Sequence, residues 1–99
     1  MKDEEEFSPI EYSVKKLIRL LQYKNNSRIQ YYVLNSLLYL SYQESSARVI
    51  ASSDQFYLSL ADIASSANDI SFRFLIAQLL VNLNKYGIIL LQNYLTYYV

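Results

Sequence analysis

Few side chains in this sequence could move a proton or hold a metal. Histidine and cysteine are both absent. That removes the commonest metal ligand, the usual general base near neutral pH, and any thiolate nucleophile or disulfide. Carboxylates remain, and paired carboxylates can share acid and base roles. Asp54, Asp62 and Asp69 come nearest to such a set, yet helix caps and surface positions account for all three. The single glycine, Gly87, leaves no phosphate-cradling loop. The chain is therefore expected not to be an enzyme, and to need no cofactor, metal or small-molecule substrate.

A second chemistry is phosphate binding through Lys15, Lys16, Arg19, Arg28 and Arg73. Helical repeats can read RNA, and tyrosines can stack on bases. The charge balance argues against it. Five of the nine acidic residues are Asp3, Glu4, Glu5, Glu6 and Glu11, so the chain opens with an acidic arm that would oppose phosphate. A nucleic-acid-binding helical repeat is kept as the alternative reading. Lys15, Lys16 and Arg19 on an amphipathic first helix also allow membrane-surface binding, a weaker reading still.

The third chemistry is contact. Eleven tyrosines stand among 99 residues. Tyrosine offers a large ring with a polar tip at low entropic cost, and it is enriched in interface cores. Tyr31, Tyr32, Tyr39 and Tyr42 fall in one segment, and Tyr94, Tyr97 and Tyr98 cluster near residue 99.

The elements that must carry these residues read as helices. Apolar residues make up 53% of the chain, against one glycine and one proline. Tight turns draw on Gly and Pro, so long helices with short connections are favoured over a sheet fold. Ser8-Pro9-Ile10-Glu11 is a helix start with a capping box. Ile10, Val14, Leu17, Ile18 and Leu21 follow at helical spacing, and the helix should end near Tyr23. Ser27 can cap a second helix to about Tyr42, with Ile29, Val33, Leu37 and Leu40 as its stripe. A short helical segment, 44–51, precedes a helix capped by Asp54 that carries Phe56, Leu60 and Ile63. The last long helix runs from Ile70 to Tyr86, with Phe72, Ile76, Leu80 and Leu83 as its stripe, and Gly87 suits its C-terminal turn.

A shift of 43 residues lays the sequence on itself: Leu17 meets Leu60, Asn25 meets Asn68, Leu37 meets Leu80, and Leu40 meets Leu83. Similar pairs include Asn26/Asp69, Ile29/Phe72, Tyr31/Phe74, Val33/Ile76 and Leu38/Val81. Polar turns and core stripes keep one register without an insertion. A period of this length, with two or three helices per unit, resembles the armadillo and HEAT repeats. Leu80-Val81-Asn82-Leu83 is similar to the end of an armadillo third helix. Ser52-Ser53 stands where that family usually has glycine, and Leu38-Tyr39-Leu40 has tyrosine in place of asparagine.

The resemblance implies an all-α, right-handed α-solenoid of about two armadillo-like repeats plus the start of a third. An acidic flexible stretch, 1–8, would precede a repeat domain over 9–99. That domain divides into a partial repeat at 9–43, a full one at 44–86 and the opening of the next at 87–99. In that family third helices line a concave groove whose asparagines bind the backbone of an extended peptide. By resemblance Asn82 and Gln78 match those positions, and Tyr39 and Asn35 match them in the first repeat. Carboxamides suit peptide bonds because they both donate and accept. Stacked repeats need polar outer faces at their ends, whereas Tyr94 to Val99 is aromatic and apolar. The chain is thus expected to be a protein-binding scaffold module, a piece or subunit of a larger assembly. It would use the third-helix face or the C-terminal residues Tyr94, Tyr97 and Tyr98. With no signal peptide in view, it is expected inside the cell, in the cytoplasm or else the nucleus.

Overall fold

The computed structural model describes residues 8–23, 26–66 and 69–86. Among them are five helices and no strand: α1 Pro9–Leu20, α2 Ser27–Leu40, α3 Glu44–Ala51, α4 Asp54–Ser66 and α5 Ile70–Asn84. The chain is all-helical over these residues.

The helix starts follow from local chemistry. Ser8 Oγ accepts from Glu11 N at 3.0 Å, with Pro9 in the first helical position. A proline there gives up an amide that would have had no helical partner. Asn26 rather than Ser27 caps α2, its Oδ1 accepting from Ile29 N. Asp69 caps α5, its Oδ1 accepting from Ser71 N, two residues on rather than three. The cap of α4 differs from expectation. Ser53 Oγ accepts from Phe56 N, and Asp54 is already the first helical residue. Three helices end two or three residues before the expected Tyr23, Tyr42 and Tyr86: α1 at Leu20, α2 at Leu40 and α5 at Asn84. Gly87 lies outside the described residues.

One core joins all five helices. Val14, Ile18 and Leu21 of the first segment meet Leu34 and Leu37, Ala47 and Ile50, Phe56 and Leu60, and Leu79 and Leu83. Ile10, placed in the buried stripe by spacing, is exposed instead. The C-terminal end of α1 is tied down by Gln30, whose buried Nε2 donates to Leu21 O at 2.9 Å. Helix ends leave carbonyls without helical partners, and this side chain satisfies one of them.

Helices α2 and α5 lie side by side and run in the same direction. Near their starts the rings of Tyr31 and Phe72 meet edge to face at 5.7 Å. Near their ends Asn82 Nδ2 donates to Ser41 Oγ, and Tyr86 OH donates to Tyr42 O. The paired positions advance together along both helices, from Tyr31 and Phe72 to Tyr42 and Tyr86, which only parallel packing produces. The hydrogen-bonded residues are separated by 41 and 44 positions in sequence, close to the 43-residue shift that superposes the sequence on itself. Helix α3 packs on α1, and α5 also packs on α3 and α4.

Candidate interaction surface

Helix α5 is apolar nearly all the way round, so burying one face leaves another in water. Phe72, Leu75, Ile76, Leu79 and Leu83 point into the core. On the opposite side Ile70 is 78% exposed, Phe74 69% and Val81 58%, with exposed Ala77 between them. Their spacing of four, three and four residues places them along one side of the helix. Isolated exposed apolar side chains are ordinary, whereas a stripe of them along one helix side is a candidate contact surface.

The outer face of α2 is different in kind. Tyr32 and Tyr39 are exposed there, Tyr39 at 75%, together with Asn35 and Ser36. Both polar side chains bond within their own helix: Asn35 Nδ2 donates to Tyr31 O and Ser36 Oγ to Tyr32 O. The tyrosines offer rings and hydroxyls to whatever approaches.

The residues singled out from sequence separate into four groups. Asn35 and Tyr39 lie on the open face of α2, and Gln78 is half-buried on the flank of α5. Asn82 departs from the expectation of an open groove position. It is 1% exposed, and its amide is spent on Ser41 Oγ at 2.9 Å. The parallel packing of α2 onto α5 covers it, so the i, i+4 relation to Gln78 does not make a shared open face. Tyr94, Tyr97 and Tyr98 lie outside the described residues. The apolar stripe of α5 escaped the sequence reading, although the pairs Tyr31/Phe74 and Leu38/Val81 were its signal.

Among the described residues no group of three or more His, Cys, Asp or Glu side chains could hold a metal ion. Asp69 serves as a cap, and Asp62 O accepts from Ser65 and Ser66 hydroxyls. Lys16 Nζ sits 5.2 Å from the centre of the Tyr12 ring. Arg28 is exposed on α2, Arg73 on α5, and Lys15, Lys16 and Arg19 on α1. Two open cavities flank α1. One, of about 320 Å³, is lined by Lys15, Ile18, Arg19, Gln22, Ser53 and Gln55. The other, of about 510 Å³, is lined by Ser13, Lys16, Leu17, Arg19, Leu20 and Tyr23. No described helix is long and apolar enough to cross a membrane.

Comparison with protein-family models, with curated proteins and with solved structures finds no match to this chain.

Proposed function

We propose that this chain is a non-catalytic protein-binding module, built as a right-handed α-solenoid of armadillo-like repeats and acting as a piece or subunit of a larger intracellular assembly. The partner is another protein, docked on the outer face of α5. The observation that carries this reading is the stripe of Ile70, Phe74, Ala77 and Val81, exposed along one side of a helix whose other side is core. Burying such a stripe removes apolar surface from water, the dominant favourable term in most protein association.

The repeat architecture is supported by three agreements. The caps Asn26 and Asp69 stand 43 positions apart in sequence and perform the same task. The order of a short helix followed by two longer ones over Glu44 to Asn84 matches an armadillo unit. The parallel α2–α5 contact, at separations of 41 and 44, agrees with what equivalent helices in neighbouring repeats would make.

The test is affinity capture with the full chain as bait. Phe74→Asp and Val81→Asp are compared with Ser45→Asp, a change at an exposed position on α3. The reading expects the two α5 variants to lose a protein that the wild type and the α3 variant retain. Equal recovery by all four chains would overturn it.

A further inference from the structure

We propose that the docked protein is a second copy of this chain, stacked head to tail in the same register that joins α2 to α5 within one copy. The proposal rests on the reading of the α5 face as a docking surface and names its occupant.

The argument compares equivalent positions. Helix α2 meets α5 through Tyr31, Ser41 and Tyr42. Advanced by the 43-residue shift, these fall on Phe74, Asn84 and Lys85, all exposed. Leu38, half-buried, falls on exposed Val81. The outer side of α5 therefore repeats the surface that α2 already uses to hold a parallel helix.

The other end carries the complementary half. Helix α5 turns buried Leu75, Leu79 and Asn82 inward, and Asn82 reaches α2 directly. Moved back by the same shift, these positions fall on Tyr32, Ser36 and Tyr39, which form the open face of α2. Helix α4 behaves likewise. Its buried Phe56, Leu60 and Ile63 correspond to Ser13, Leu17 and Leu20 of α1. Those three residues line the open cavity of about 510 Å³. One end of the molecule thus presents an apolar ridge, and the other an amphipathic face with a recess. They are the two halves of an interface that the chain makes once internally.

A second copy satisfies both halves at once. Its Ile29 would face Phe74, and its Tyr39 hydroxyl would reach Asn84, repeating the Phe72–Tyr31 and Asn82–Ser41 contacts in different chemistry. The interface is heterologous, so each added copy leaves one free end of each kind and assembly does not stop at two.

The experiment is size exclusion with light scattering on the full chain over a wide concentration range, for wild type, Phe74→Asp, Tyr39→Asp and an equimolar mixture of the two variants. Both residues are exposed, and circular dichroism reports whether each variant keeps its helices; Val81→Asp and Tyr32→Asp form a second pair for the two ends. The expected result is wild type growing beyond a dimer with concentration, loss of assembly in each variant alone, and a one-to-one dimer in the mixture, because each variant keeps one intact end. A wild type that stays monomeric overturns the proposal, while leaving the docking reading standing if Phe74→Asp still loses a captured protein. Continued assembly of Tyr39→Asp alone also overturns it, since the α5 face would then pair with itself. So does a mixture that stays monomeric.

Discussion

Asn82 and Ser41 meet side chain to side chain, 2.9 Å apart, across the buried seam between α5 and α2. Ser41 passes the interaction on, its own hydroxyl donating to Leu38 O at 2.6 Å. The relay fixes the alignment of two parallel helices that no short connection joins. Removing either partner leaves a buried polar group unsatisfied, which costs about 1–3 kcal/mol. Asn82→Ala and Ser41→Ala should each lower stability by about 2 kcal/mol in urea unfolding. The double variant should lose less than the two singles together, with a coupling of about 1 kcal/mol. Additive losses would mean the two side chains do not depend on each other.

Ser46 is the opposite case. Its hydroxyl is buried in α3 without a hydrogen-bond partner among the described residues. A desolvated hydroxyl that makes no bond is a cost the folded state carries. Ser46→Ala should therefore be neutral or stabilise by up to about 1 kcal/mol, read as an unchanged or raised urea midpoint. A clear loss of stability would reveal a bond that the hydroxyl does make.

The caps give a local test. Ser53→Ala removes the acceptor for Phe56 N and should cost about 1 kcal/mol. Asp54→Ala removes only a charge near the start of α4 and should cost about 0.3–0.5 kcal/mol. The reverse order in thermal or urea melts would return the capping role to Asp54.

Much of the fold is written locally, and these caps show why. Ser8 announces its helix start within a few residues of sequence, and the apolar stripes are local too, but Ser27 is expected where the adjacent Asn26 caps. Ser53 and Asp54 are adjacent and both suit a cap, so composition alone chose wrongly between them. Asn82 was misplaced for a deeper reason. Its groove position came from the armadillo resemblance, and nothing nearby in sequence reveals that Ser41 lies across the seam. The stripe on α5 was hidden by excess: with apolar residues on every side, periodicity could not say which side faced water. That required knowing where α2, α3 and α4 sit.

Alkaline stability should depend on Tyr57. Its ring is buried against Phe56, and burial, with a smaller contribution from the charge of Asp54, pushes its hydroxyl up to about 12 from 10.0. Between those values the folded chain keeps a proton that the unfolded chain releases. Stability from this group is complete below pH 10 and is lost as pH rises towards 12. Tyr57→Phe should flatten the fall in melting temperature over that window. An unchanged slope would place the alkaline sensitivity elsewhere.

The central claim is that the outer face of α5 is where another protein docks. The most direct test installs a photo-crosslinking phenylalanine analogue at Phe74, and at Ser45 on α3 for contrast, in the full chain expressed in cells. Irradiation should yield a discrete protein adduct from position 74 and none from position 45. No adduct from position 74, or the same adducts from both positions, would contradict the account.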